Sequence, residues 1–390
     1  MIRAFSAFTS EIDDVDEAVA EILGQLPAED QFLSQTIALV SCIPEFIESG
    51  VLEALQAALP FDLIGQTTTA AASPGSDVLE ILNLLIITSD ELDFVHGQTE
   101  PIAGKDAKVL AEAYHGALGD RTERPAFILM YAPLLLNVGG DFFVNTFDEL
   151  SGHTPLFGSI AIDNTIGYYK SSVIYRGESS PDRLAFIAIY GDITPRFYQA
   201  TISHESIFEE KGVVTSSDGN QLMTVDNMTA VEFLKSKGLV AVANGAVEGI
   251  NSFPYIIDYN DGTPPVIRVI FATTPEGYAV CLGDVPEGST LSVGHFDEDE
   301  IVTTTRQGLE RFKDEMGHHV CIVVSCVGRY FTMILDPTGE ISATHEFIDP
   351  LGVPYILAYS GGEICPMTNI VDGVSLTNRF HNSTFVALTF

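Results

Sequence analysis

From the N-terminus the chain alternates between short apolar runs and segments whose apolar residues recur at helical spacing. "IRAFSAF" alternates in polarity and predicts a strand. "DDVDEAVAEILGQL" then places Val15, Val19, Ile22, Leu23 and Leu26 at helical spacing, with its acids at the end where the helix dipole favours them. "FLSQTIALVSCI" predicts a buried strand, "PEFIESGVLEALQAAL" a helix opened by Pro44, and "FDLIGQT" a short strand. "VLEILNLLIITS" and "LDFVHGQT" predict two more strands, "KDAKVLAEAYHGAL" a helix, "PAFILMYAP" a buried strand, and "GGDFFVNTFDELSG" a helix with glycines at both ends. Alternation of this kind up to about residue 160 is the signature of layered α/β architecture.

After residue 165 the texture changes. "IGYYKSSVIYRG", "RLAFIAIYG" and "FYQATISH" predict consecutive strands with glycine or proline breaks. "GVVTSSDGNQLMTVDNMTAVEFLKSKG" is a local unit. Asp218-Gly219 suits a tight hairpin turn, Thr229 and Glu232 form a capping box, and Gly238 stops the helix. "PPVIRVIFATT", "GYAVCLGD", "STLSVGHF" and "CIVVSCVG" predict strands, with "DEIVTTTRQGLERFKDEM" a helix between them. No repeat of solenoid period and no low-complexity tract is visible. With 390 residues the chain exceeds one compact core. The expectation is an α/β fold of mixed α+β layers in two packed halves, 1–215 and 216–390, each a β-sheet covered by helices.

Charge narrows the partners. Asp and Glu number 54 against 18 Lys and Arg, a net charge of −36. Such a surface repels phosphate backbones and anionic lipid, so neither nucleic acid nor membrane is an expected partner. The odd count of five cysteines in a long chain argues against a disulfide framework. The N-terminus meets acids before any apolar core, which is unlike a secretory signal, and "AFILMYAPLLL" is too short to span a bilayer. The expected location is cytoplasmic.

Familiar catalytic signatures are missing. There is no G-x-S-x-G elbow, phosphate loop, G-x-G-x-x-G or C-x-x-C pair. His318, His319 and Cys321 lie close in sequence, but in a strand neighbours face opposite ways, so a turn before a strand is the default and no metal site is expected. "HFDEDE" at 295–300 reads as a solvated helix entrance. No catalytic residue and no cofactor is expected. Cys326, three residues before Arg329, is either a small buried hydrophobe or a thiol activated by the guanidinium.

"SCVGRY", with Cys326, Gly328 and Arg329, resembles the C-terminal half of the FIST domain, named for F-box and intracellular signal transduction proteins. "SGGEICPMTNIVDGVSLTNRFHNSTFVALTF" is similar to the family's closing pattern, with Gly362, Glu363, His381, Asn382 and Thr384 in the matching places. "VTSSDGNQLMTVDNMTAVEFL" resembles the hairpin and helix that open that half. "PLFGSIAID" resembles a glycine-rich turn ending in an acid, here Asp163. Together these cover nearly the whole chain in the family's order. One departure is Gln66 in "LIGQTTTAAASPGSD", where the family has a cysteine. The resemblance implies a sensory module that binds small ligands such as amino acids. In bacteria it works beside kinase, chemoreceptor or cyclic-nucleotide output domains. Eukaryotic relatives carry an F-box. Neither attachment is recognisable in these 390 residues, and the expectation is output through a partner in trans, such as a histidine kinase or chemoreceptor.

The candidate ligand-binding residues are Cys326, Gly328, Arg329, Glu363, His381 and Asn382. An arginine after a glycine at a strand end offers a planar fork for a carboxylate, Glu363 an acceptor for an ammonium group, and Asn382 neutral hydrogen bonds. That set suits an amino acid or related zwitterion. Three alternatives stand beside it. Arg329 and Glu363 pair with each other structurally; Cys326 is the nucleophile of an enzyme with His381 or Glu363 as acid and base; or the chain is a protein-interaction scaffold.

Overall fold

The computed structural model describes residues 1–135, 137–238, 253–313, 319–333 and 336–390, with two short strands at 242–243 and 246–247. It is a mixed α+β protein of two halves, and its framework is one topological unit used three times. Unit I runs β1 (Ile2–Thr9), α1 (Val15–Gln25), β2 (Gln35–Cys42), α2 (Glu45–Glu48), α3 (Val51–Ala58), β3 (Leu63–Thr67), β4 (Ala71–Ala72) and β5 (Leu82–Ser89). Unit II runs β6 (Asp93–Gln98), α4 (Ala107–Leu118), β7 (Phe127–Ala132), α5 (Gly140–Leu150), β8 (Leu156–Ile160), β9 (Val173–Tyr175), β10 (Glu178–Ser180) and β11 (Ala185–Tyr190).

Unit III opens with β12 (Arg196–Ala200) and is then interrupted by an insertion. The insertion holds β13 (Ile207–Asp218), β14 (Gln221–Val225), β15 (Met228–Thr229), α6 (Ala230–Ser236), β16 (Val242–Ala243), β17 (Ala246–Val247), β18 (Tyr255–Asp258), β19 (Val266–Arg268), β20 (Ile270–Thr273), β21 (Ala279–Cys281) and β22 (Thr290–Gly294). The unit resumes with α7 (Glu298–Lys313), β23 (Cys321–Cys326), α8 (Val327–Thr332), α9 (Gly339–Ile348), β24 (Tyr355–Ser360), β25 (Glu363–Thr368), β26 (Leu376–His381) and β27 (Phe385–Thr389). Position 215 falls inside β13. The first half therefore carries two helix-covered sheets, and the second carries one plus the inserted antiparallel sheet.

Each unit has the same strand order: edge strand, last strand, then a parallel pair. These are β1-β5-β2-β3, β6-β11-β7-β8 and β12-β27-β23-β24. The parallel pairs β2/β3, β7/β8 and β23/β24 are joined through helices, as a parallel crossover requires. The segment between the third strand and the last does not stay in its own sheet. β4 of unit I pairs with β24 of unit III, β25 of unit III with β8 of unit II, and β9 of unit II with β3 of unit I. The exchange closes a ring.

Strand periodicity sends alternate residues to opposite faces. Ile37 and Leu39, Phe127 and Leu129, and Ile322 and Val324 share one central core drawn from all three sheets. Their neighbours in sequence pack outward under the helices, in a separate cluster for each unit. Strands buried on both faces explain the near-continuous apolar runs.

Several local readings hold. Asp14 accepts from the Glu17 N–H at 3.0 Å and caps α1. Asp218 pairs with Gln221 across a two-residue turn with Gly219 at φ 57°. Thr229 and Glu232 make the reciprocal capping box, and Gly238 follows with φ 74°. Others change. "PPVIRVIFATT" is two strands with different partners, β19 on β18 and β20 on β21. "CIVVSCVG" ends as a strand at Cys326, and Gly328 and Arg329 lie in α8. Most of "IGYYKSS" is loop, with the strand beginning at Val173. His318 and the end of the helix predicted to Met316 lie outside the described residues.

Two glycines are fixed by close approach of the parallel strands. A Cβ on Gly65 would lie 1.8 Å from the Val40 carbonyl oxygen, and one on Gly158 would lie 1.8 Å from that of Met130. Val40/Gly65 and Met130/Gly158 are equivalent pairs in the register of units I and II, and unit III has Val324/Ala358 there. Gly65→Ala and Gly158→Ala should each cost at least about 1–3 kcal/mol, because backbone must shift. Gly116→Ala, in the exposed interior of α4 with open space around it, should instead gain roughly 0.5–1 kcal/mol. Urea unfolding of the three variants checks this contrast.

Candidate functional site

Cys326 is the last residue of β23, in register with Ser360 at the end of β24. From there the chain turns into the short helix α8, which carries Gly328, Arg329 and Phe331. A cavity of about 210 Å3 opens at this strand end, lined by Cys326, Val327, Gly328, Phe331 and Gly361. The inserted sheet adds Val269, Ile270, Phe271 and Leu282, and unit II adds Leu134, Ile162 and Tyr168. The walls are mainly apolar, and they come from both halves of the chain.

A second, smaller space of about 30 Å3 shares Leu134, Phe271, Leu282 and Gly361 and is also lined by Gly140 and Phe380. The loop that brings Tyr168 to the cavity is tied by Asp163. Its carboxylate accepts from the Thr165 N–H at 2.5 Å, the Lys170 N–H at 2.8 Å and the Ser171 hydroxyl at 2.9 Å. Tyr168 sits at φ 57° with its ring 6.4 Å from that of Phe331.

Arg329 is not on the cavity wall. It is fully buried, and its Nε donates to Glu340 Oε1 at 2.8 Å. Nη2 donates to Thr305 Oγ1 at 2.6 Å and to the Ile301 carbonyl at 3.2 Å, and Nη1 to the Ser383 carbonyl at 3.4 Å. Glu340 is completed by the hydroxyls of Thr305 at 2.8 Å and Ser325 at 2.5 Å. The ion pair is thus Arg329–Glu340, not Arg329–Glu363, and it ties α8 to α7, α9 and the turn before β27. Its donors face protein acceptors, which leaves no fork for a ligand carboxylate. Gly328 has ordinary helical backbone, and a Cβ there would meet Ser383 Oγ at 3.5 Å and Cys326 Sγ at 3.6 Å, ordinary contacts. The glycine that the backbone does require is Gly362, at φ 154° with a Cβ site 2.3 Å from the Phe380 ring.

Glu363 lies beside Cys326 instead. It is fully buried, accepts from Ser360 Oγ at 2.8 Å and from the Thr384 N–H at 3.2 Å, and interacts with the Cys326 thiol. Burial is the main force on its acidity and lifts its pKa to about 8, against the lowering pull of those hydrogen bonds and of Arg329. Burial likewise raises the Cys326 thiol, with Glu363 adding to the effect, while the N–H groups of Gly328 and Ser383 oppose it. The four remaining cysteines are buried and free, so none forms a disulfide.

His381 is opposite Glu363 in the β25/β26 register, but its Nε2 donates to the Cys365 carbonyl at 2.9 Å. Burial, helped by Arg268 and Arg379, drops its pKa to about 4, and its Nδ1 has no partner among the described residues. Asn382 is buried, with Nδ2 donating to the His381 carbonyl at 3.0 Å. Of the six sequence candidates, Cys326 and Gly328 therefore line the cavity, Glu363 stands directly behind Cys326, and Arg329, His381 and Asn382 support the surrounding backbone. Sequence reading missed the cavity's apolar wall and Glu340. The one signal available was Asp163, whose loop delivers Tyr168. Gln66 accepts from Ser159 Oγ at 2.7 Å and bridges units I and II.

The FIST N domain model matches residues 36–228 and the FIST C domain model residues 230–366. The chain belongs to the FIST family. FIST domains are signal-transduction modules, and in this FIST protein the cavity lies where the two matched regions meet. No curated protein matches the chain. Among solved structures, similarity is found to cyanuric acid hydrolase from A. caulinodans, at 9% identity and TM-score 0.36 over 100% of this chain and 98% of that one. PurLQS from Thermotoga maritima is similar at 11% identity and TM-score 0.19, over 99% of this chain and 71% of that one. At such scores neither likeness bears on function. Among the described residues no helix is long and apolar enough to cross a membrane.

Removing the Arg329 charge leaves Glu340 buried without a counter-ion. Arg329→Met should cost about 3–5 kcal/mol. Arg329→Met combined with Glu340→Met should lose less than the two single losses together, a coupling that a double-mutant cycle in urea resolves.

Glu363 gives a pH signature. Its folded pKa lies above the unfolded value, so its stabilising contribution is complete below about pH 4.5 and is lost as pH rises through about 8. His381 works in the other direction. Its contribution is complete above pH 6.5 and is lost as pH falls through about 4. Glu363→Gln should flatten the decline in stability between pH 4.5 and 8 and leave the acid limb in place. An unchanged slope in urea midpoints across that window would mean that Glu363 is ionised in the native protein.

Proposed function

We propose that this FIST protein is a non-catalytic sensor that takes one small ligand in the cavity between its halves and reports occupancy to a signalling partner, such as a histidine kinase or chemoreceptor. The observation that carries the reading is the roughly 210 Å3 space walled by both halves, with Cys326 and Gly328 at the strand end. A ligand there touches the inserted sheet, unit II and α8 together, so binding ties elements of distant sequence and favours one arrangement of them. The apolar walls favour a ligand with a small aliphatic body and one hydrogen-bonding head group. A free zwitterion has less support, because Arg329 is engaged by Glu340 and, among the described residues, no cationic side chain lines the cavity. Ile166 and Tyr169, 98% and 73% exposed in the loop tied by Asp163, offer an apolar rim close to Tyr168 for a partner to read.

The test is thermal unfolding with short-chain alcohols, carboxylic acids and aliphatic amino acids. A ligand of the native state raises the melting temperature. Gly328→Leu, whose Cβ would make only ordinary contacts and whose side chain would narrow the cavity at this wall, should fold and abolish the shift. A shift that survives Gly328→Leu places the binding elsewhere and sinks this reading.

A further inference from the structure

Resting on the cavity reading above, we propose that Cys326 captures small aliphatic aldehydes reversibly as a hemithioacetal, with Glu363 carrying the proton from sulfur to oxygen. Cys326 lines this mainly apolar cavity, so a ligand lodged there lies against it. The Cys326 backbone N–H donates to the Thr384 carbonyl at 3.1 Å, and the Thr384 N–H donates to Glu363 at 3.2 Å, so one turn holds thiol and carboxyl together. Ser360, the register partner of Cys326, fixes the other carboxyl oxygen at 2.8 Å. The equivalent strand ends in units I and II are Cys42 beside Thr67 and Ala132 beside Ile160. Unit III combines the thiol, the carboxyl and the space.

Charge balance selects the chemistry. The site is buried, and the nearest guanidinium, Arg329, is already neutralised by Glu340. A reaction that leaves net charge in such a place is disfavoured. Addition of a thiol across a carbonyl begins and ends with the same charge. The S–C bond forms, and the C=O π pair moves to oxygen. The carboxylate form of Glu363, whose share grows as pH rises through about 8, takes the thiol proton and returns it to that oxygen, so capture speeds up over that range. No oxidant, reductant or leaving group is needed, and the reverse steps release the aldehyde. Burial keeps the unliganded thiol protonated, so capture depends on Glu363 as the local base.

The experiment uses the full chain with [1-13C]butanal, and butanol as a non-electrophilic control of matching shape. The wild type should show a new hemithioacetal carbon signal and a larger thermal shift with butanal than with butanol. Cys326→Ala and Cys326→Ser, the latter keeping a hydroxyl for Glu363, should lose the signal and the excess shift but keep the butanol shift. Glu363→Gln should slow capture, read as loss of carbonyl absorbance, by about a hundredfold or more. Equal shifts with both probes and no new carbon signal overturn capture and leave the cavity reading standing. No shift with either probe overturns both. Capture at full rate in Glu363→Gln removes Glu363 from the proposal.

Discussion

A β-sheet with an open edge must be paired or covered, and this molecule meets that constraint by exchange. Each unit ends its parallel pair at a strand whose outer edge would be bare, and the strand that fills it comes from a different unit. β4 leaves unit I for unit III, β25 leaves unit III for unit II, and β9 leaves unit II for unit I. Because the loans form a ring, no unit completes its sheet alone, and the central core shared by three sheets forms only when all are present. The site inherits its geometry from this ring. Glu363 is the first residue of the strand lent to unit II, and Cys326 ends a strand that stays at home. The exchange sets the two beside each other.

Two buried arginines hold the cavity's surroundings. Arg329 joins α7, α8, α9 and the turn before β27. Arg268, at the end of β19, donates to both Asp141 oxygens at 3.2 Å and to the Phe380 carbonyl at 3.0 Å, fastening the insertion to unit II. Burying ion pairs adds little net stability, and their use as registry devices is better attested. Here they fix the two walls against which Cys326 and Tyr168 face. In a chain with 18 cations against 54 acids, both fully buried guanidinium groups serve architecture.

Much of the framework was legible in the pattern of apolar positions. The alternation of β1, α1, β2, α3 and β3 follows from periodicity, and the hairpin at Gly219 and the capping box at Thr229 follow from turn and cap chemistry. The threefold unit was not legible, because equivalent positions carry different residues. Gly65 and Gly158 meet one backbone constraint, the equivalent position in unit III is Ala358, and no shared motif surrounds the three. Cys326 and Gly328 were singled out in a strand-end motif and Glu363 in the glycine-glutamate pair of the closing pattern. Arg329 was read as a fork for a ligand carboxylate, whereas its Nε donates to Glu340, which lies in a helix that no local signal links to it.

By itself the sequence determined the layered α/β character, the burial of its strands on both faces, the acidic surface, the local turns and caps, and membership of the family. Those are properties of neighbours within a few residues or of summed composition, which short-range sterics and solvation fix. The tertiary structure alone decided which strand edge each lent segment fills, that Arg329 pairs with Glu340 while Glu363 meets Cys326, and that the cavity opens between halves. These depend on contacts between residues distant in the chain, where many pairings satisfy the same hydrophobic pattern and only simultaneous closure of all three sheets selects one.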